Sequence, residues 1–357
     1  MKRIIEFVAR NPWSPLLAAL PLTLAAQLLH WPPVAIFICA AFGIIPLAAT
    51  IGEATEDIAS YTNPRLGALL NATFGNAAEL IITIAAVKAG LLELVKASIT
   101  GSIIGNLLLV LGFAMLTGGL RHGTQTFNKR NASRNAILLV LAVVALIIPS
   151  AWSQAIGTES NAKVEALSVG VAIIMIVLYG LGLFEASNVK ESSISYQLSK
   201  SDLPGWTLSQ VVVVLLISTL GVLWLSESLV DAIQAVIASS GISEFFLGII
   251  LVPIIGNVAE HLVSMQLALK NKMDLSVEIA TSSSLQIALF VAPLLVFISL
   301  LLGHPLELTF NRFEWMAVLA AVVVSALVSS DGESTWLEGA GLLAVYLILG
   351  LGFFLLP

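Results

Sequence analysis

The chain has 357 residues, 58% of them hydrophobic and 11% charged, with a formal net charge of −6 and a mean hydropathy of +0.99. Globular domains carry about 25% charged residues, so a soluble core cannot absorb this composition, and a lipid bilayer must solvate much of the surface. The single cysteine, Cys39, excludes a disulfide framework and a thiolate metal cage, and the absence of a basic stripe excludes a nucleic-acid binder.

Apolar runs of about 20 residues between polar or Pro/Gly breaks predict spans near 13 to 30, 34 to 58, 65 to 88, 92 to 118, 133 to 150 and 163 to 185. Further spans follow near 207 to 238, 243 to 269, 275 to 302, 313 to 329 and 336 to 356. The expected fold is an all-α polytopic membrane protein of about 11 transmembrane helices. Residues 1–33 form an N-terminal helix, 34–185 a first five-helix unit, 186–206 a Ser-rich cytoplasmic linker and 207–357 a second five-helix unit. The opening MKRIIEFVARNPW and the run after it have the shape of a signal peptide. A retained first span is expected instead, because the run leads directly into more membrane-compatible sequence.

Basic residues set the orientation. With a cytoplasmic N-terminus, 12 of the 16 Lys and Arg fall inside, and Lys88, Lys96, Lys163 and Arg312 fall outside. An odd number of spans per unit makes the second unit enter from the opposite face, the inverted-repeat plan of many secondary transporters.

The repeat is legible in the residues themselves. GNAAEL at 75–80 returns as GNVAEH at 256–261, and 260 − 79 = 181 relates Glu79 to Glu260, as it relates Asn76 to Asn257 and Gly75 to Gly256. An ionised carboxylate at bilayer depth costs about 3 kcal/mol or more on insertion scales and marks a functional site by default. No Lys or Arg lies in either stretch to serve as a structural counter-ion. Gly75 and Gly256 weaken the helix before each Asn, and a local break there would free carbonyls as ligands. On the next span of each unit, Thr100 and Ser102 answer to Thr281 and Ser283 at the same offset, Asn106 follows in the first unit, and Gln286 in the second stands at the position of Gly105. Glu53 with Asp57, and Glu227 with Asp231, form i, i+4 acidic pairs on the second and seventh spans. Glu53 and Glu227 are read as gate or proton-pathway groups.

Carboxylate, amide, hydroxyl and backbone oxygens suit Ca²⁺, which takes about 6 to 8 of them in flexible geometry. Soft ligands are missing from these stripes, and His261 is read as a pathway residue rather than a ligand. An empty pair of acids in a low-dielectric cavity favours bound protons, and a divalent cation reverses that preference. Such a site holds metal or protons but not both, which is the physical requirement for exchange. No resident cofactor is expected; Ca²⁺ and H⁺ are the transported ions and the lipid bilayer the solvent partner. A homo-oligomer is compatible with this reading.

GNAAEL and GNVAEH, with KNKMDLSVEIA, SLQIALFVAP and SSDGESTWLEG, resemble the calcium/cation:proton antiporter family of the calcium/cation antiporter superfamily over nearly the whole chain. The resemblance implies an inverted-repeat fold with an extra first helix and calcium efflux driven by the proton gradient through alternating access. It implies ion contact through Glu79, Glu260, Asn76 and Asn257, with Glu53, Glu227, Ser102 and Gln286 as accessory positions. It also suits the inner membrane of a prokaryote. The chain departs from the family at Ser282, commonly Gly there, and in a less acidic linker. A sodium- or potassium-coupled calcium exchanger of related fold is the nearest alternative, and a divalent cation channel is the alternative from another class. An enzyme is not expected: HExxH is absent, and Glu260 and His261 are adjacent where metal ligands are a turn apart.

Overall fold

The structure is a computed structural model that describes residues 13–62, 67, 70, 71, 73–156, 162–188 and 207–356. The expected linker at 186–206 lies outside the described residues from 189 onward, as do residues 1–12 of the N-terminal segment.

Helix α1 is Ala19–Leu28, α2 Pro33–Ser60, α3 Ala77–Lys88, α4 Leu92–His122, α5 Lys129–Ile156 and α6 Ala162–Asn188. Helix α7 is Leu208–Ser240, α8 Val252–Leu269, α9 Met273–Leu301, α10 Arg312–Val328 and α11 Trp336–Leu355. Three helices start where side chains answer the free N–H groups of the first turn. Thr207 with Gln210, Asn311 with Glu314 and Thr335 with Glu338 close capping boxes on α7, α10 and α11. Strands β1, Gln125–Thr126, and β2, Glu333–Ser334, form a short antiparallel pair, a regular element that the apolar pattern did not announce.

By length and composition seven helices can cross a membrane: α2, α4, α5, α6, α7, α9 and α11. The bent segments Glu244–Val258 and Glu260–Leu269 make an eighth if counted as one broken span. Helix α1 belongs to a shorter apolar stretch, α10 has 17 residues, and residues 63–66, 68, 69 and 72, in and just before the span expected at 65 to 88, lie outside the described set. The protein is thus an all-helical polytopic membrane protein with seven to eight candidate spans among its described residues.

The chain forms two compact units. The first comprises Met1–Ala85, Leu181–Ile242 and Ile255–Ala259. Here α2 packs along α7 by fitting glycines under leucines: a Cβ on Gly43 would lie 2.9 Å from Leu225 Cδ1, and one on Gly221 would lie 2.7 Å from Leu47 Cδ1. Such small residues let helices approach where no hydrophobic drive separates helix from lipid. Gln27 on α1 donates to Ser228 Oγ on α7 at 2.8 Å, and Cys39 is a buried free thiol of α2.

The second unit comprises Ala86–Gly180, Ser243–Ile254 and Glu260–Pro357. Helix α4 meets α11 at glycines, where a Cβ on Gly339 would lie 2.7 Å from the Gly112 carbonyl oxygen. At one end, Gln125 ties its own segment to the end of α8 and the turn after it, donating to Ala268 O at 3.0 Å and to Asn271 Oδ1 at 2.8 Å. The repeat is visible in this unit's backbone. Gly90 and Asn271, with 271 − 90 = 181, both turn through positive φ, +76° and +56°. Asn is among the few residues with a side chain that tolerate that conformation. Wide π-helical turns interrupt α4 at Gly105–Val110 and α9 at Ile287–Val291, and their last residues match at 291 − 110 = 181. Single π turns inside α-helices occur frequently at functional sites.

Candidate functional site

In the first unit the two signature motifs meet. Gly75 and Asn76 form a turn ahead of α3, whose first turn then carries Glu79. Glu79 is 3% exposed, and its Oε1 accepts a hydrogen bond from Asn257 Nδ2, itself 2% exposed. Asn76 is buried as well. Gly256 is what lets the carboxylate approach: a Cβ there would lie 2.7 Å from Glu79 Cγ. Thr83 Oγ1 turns back to donate to the Glu79 carbonyl at 2.7 Å, which satisfies the Thr83 hydroxyl within α3.

In the second unit a chain of hydrogen bonds ends on the other acid. Asn106 Nδ2, at the π turn of α4, donates to Ser283 Oγ on α9 at 3.0 Å, and Ser283 Oγ donates to Glu260 Oε2 at 2.7 Å. The amide fixes which way the hydroxyl points, so the hydroxyl presents its proton to the carboxylate. Asn106, Ser283 and Ser102 are buried, while Glu260, His261 and Gln286 are partly buried. One helix turn farther along α8, Ser264 shares a hydrogen bond with Ser276 of α9 at 2.7 Å, so α8 and α9 are joined by hydroxyls on both sides of His261.

The acidic pairs separate in character. Glu53 and Asp57 of α2 are half-buried, and so is Glu56 between them, which the spacing argument passed over. Glu227 and Asp231 of α7 are exposed. Among the described residues no group of three or more His, Cys, Asp or Glu side chains is placed to hold a metal ion by itself. A cation held by these residues would therefore take amide, hydroxyl and carbonyl oxygens beside carboxylates, a hard-oxygen set that suits Ca²⁺. Glu314 of α10 was also missed: it is 1% exposed and bonded to Thr100 of α4. Its only sequence signal is the pattern Asn311-x-x-Glu314, which reads as a helix start.

Known proteins of the same build place the chain. The family described as "Sodium/calcium exchanger protein" matches residues 32–186 and 210–355, so the chain belongs to the sodium/calcium exchanger family of transporters. Within it the chain belongs to the Ca²⁺/H⁺ antiporter family. It is 47% identical to the Ca²⁺/H⁺ antiporter of Aphanothece halophytica over 96% of each chain. It is 44% identical to the Ca²⁺/H⁺ antiporter ChaA of Bacillus subtilis (strain 168) over 95% of this chain and 97% of that one. Among solved structures, native YfkE is 43% identical, with a TM-score of 0.84, covering 96% of this chain and 100% of that chain. The H⁺/Ca²⁺ exchanger CAX, at 15% identity and a TM-score of 0.74 over 99% of this chain and 92% of that one, shares the fold.

Proposed function

We infer that this chain is a secondary transporter that exchanges Ca²⁺ for H⁺ across a membrane and is not an enzyme. The observation that carries the reading is 44–47% identity to Ca²⁺/H⁺ antiporters over nearly the whole chain, with both motif carboxylates held by amide or hydroxyl donors. Glu79 and Glu260, with Asn76 and Asn257, are the cation ligands. Ser102, Asn106, Ser283, Gln286 and His261 line the approach, Glu53 and Glu227 serve proton or gate steps, and Gly75 and Gly256 shape the backbone beside the acids.

The mechanism follows from electrostatics. A buried carboxylate is stable with a bound cation or with a proton, and unstable with neither. Calcium binding therefore expels protons and proton binding expels calcium, so a proton gradient drives calcium out of the cytosol by alternating access. The Ser283 hydroxyl and the Asn257 amide orient Glu260 and Glu79 for whichever occupant is bound.

The architecture that accompanies this reading is about 11 spans: an N-terminal helix at 1–33 and two inverted five-helix repeats at 34–185 and 207–357, joined by a cytoplasmic linker at 186–206. The N-terminus is cytoplasmic and the membrane is a prokaryotic plasma membrane. The bacterial relatives support that location.

Calcium uptake into inverted vesicles tests the function. An acidic lumen drives uptake and a sodium gradient alone does not; the reverse result assigns the chain to sodium-coupled exchange. Glu79→Gln and Glu260→Gln fold and reach the membrane but lose uptake, by at least about a hundredfold if the lost carboxylate supplies proton exchange. Full uptake by either variant removes that residue from the mechanism.

A further inference from the structure

A second buried acid sits apart from the motifs. Glu314 opens α10, and both of its oxygens are engaged: Oε2 accepts from the Asn311 N–H at 2.8 Å, and Oε1 from Thr100 Oγ1 at 3.2 Å. From the surface inward, the acids and their counter-charge are graded. The Glu93 side chain is 63% exposed, it pairs at 2.5 Å with Lys96, whose side chain is 14% exposed, and Lys96 acts electrostatically on Glu314, which is 1% exposed.

The Thr100 hydroxyl makes this pocket tolerant of either protonation state. Besides Glu314 it has two other acceptors, Lys96 O at 3.1 Å and Ala97 O at 3.0 Å. With Glu314 ionised, Thr100 donates to Oε1. With Glu314 protonated, the carboxyl O–H donates to Thr100 Oγ1, and the hydroxyl proton turns to a backbone carbonyl. No hydrogen bond is lost in either state, so neither state carries the penalty of an unmade buried bond.

The internal repeat supplies the comparison that separates this role from helix capping. Thr281 is the counterpart of Thr100, since 281 − 100 = 181, and it too donates to the carbonyl four residues back, Val277 O, at 2.9 Å. Its partner on α5 is Asn135, whose Nδ2 donates to Thr281 Oγ1 at 3.0 Å. A neutral amide thus joins the helices in one half. The other half uses an ionisable group at the same contact, where packing alone does not call for one.

We propose that Glu314 is a proton-carrying carboxyl on the route between the outer solution and Glu260. The proposal rests on the exchange reading and on the orientation that puts Lys96 and Arg312 outside. A hydronium ion of the outer solution gives its proton to the Glu314 carboxylate, Glu314 passes it to water, and that water delivers it to Glu260. Only O–H bonds form and break, and each cycle returns Glu314 to its ionised form. Helix α4, which carries Thr100, also carries Asn106, and Asn106 reaches Glu260 through Ser283. The other charged groups near Glu314 are few. Glu93 and Lys96 of α4 act on it, Arg312 of its own helix is held at 3.2 Å by Gln154 of α5, and α11 meets this end with Phe353 on Phe313. Glu244, ahead of α8, is turned to the Leu94 N–H at 3.2 Å.

Glu314→Gln tests the inference, because Gln also completes a capping box and its amide reproduces the neutral carboxyl's bond to Thr100. In inverted vesicles whose lumen corresponds to the outside, the wild type takes up calcium faster as the lumen is acidified. The variant keeps the wild-type melting temperature, is slower by about tenfold or more, and loses its response to lumenal pH. An unchanged rate and pH profile, or a rate lowered equally at every lumenal pH, overturns the proposal and leaves Glu314 a cap. If Glu314→Gln does not fold, Thr100→Val decides, since it keeps the cap and removes the alternating hydroxyl; an unaltered pH profile there overturns the proposal too. Wild-type vesicles that show no uptake under a pH gradient refute the exchange reading itself, so the two failures are distinguishable.

Discussion

Glu79 shows how one residue's place is set by another's lack of a side chain. Gly256 is the floor on which its Cγ rests, at 2.7 Å from where a Cβ would stand. Gly256→Ala must push the carboxylate aside by a large fraction of an ångström, and misplacements near 1 Å are worth about a hundredfold in rate. The expected outcome is a protein that folds normally with calcium uptake lowered by one to two orders of magnitude, read in the vesicle flux assay. Uptake within twofold of wild type would mean the wedge is not what positions the acid. The acids and their amides were legible in the sequence because repetition at a fixed offset marks a residue twice. Glu314 and Glu56 were not: the first hides behind a capping pattern at a span edge, and the second lies between two acids that already formed a pair.

At the scale of the element, the apolar runs foretold where most helices lie, because lipid demands continuous internal hydrogen bonding and therefore helices. The π turns in α4 and α9 left no such trace. One inserted residue per turn changes which side chains face inward without changing composition, so Asn106 enters a wide turn with nothing in its neighbours to announce it. The β1–β2 pair was equally silent, being two residues per strand among polar loops. Caps are the opposite case, since their chemistry is local. Thr335 accepts from Glu338 N and donates to Glu338 Oε2 at the start of α11. Thr335→Ala is expected to cost about 1 kcal/mol and to lower the melting temperature in detergent with exchange retained. No measurable shift would show that water or headgroups replace the cap.

Over the whole molecule, the duplication persists beneath divergent side chains. Gly90 and Asn271 share a backbone conformation with no residue in common, and the Thr100 and Thr281 contacts persist while an acid in one half faces an amide in the other. Sequence offers the offset; only coordinates reveal that loop geometry kept it. The proposed inverted arrangement makes a prediction of its own. Cysteines at Lys129 and Lys163 should be modified by an impermeant maleimide from opposite sides of the membrane, Lys129→Cys from the cytoplasm and Lys163→Cys from outside. Modification of both from one side would sink the orientation.

The native thiol makes that experiment simple. Cys39 is the chain's one sulfhydryl and is enclosed within α2, so the unaltered protein should stay dark to a fluorescent, water-soluble label. Each reporter can then be placed singly on an authentic background, with no prior stripping of the original residue, and every signal belongs to the position chosen.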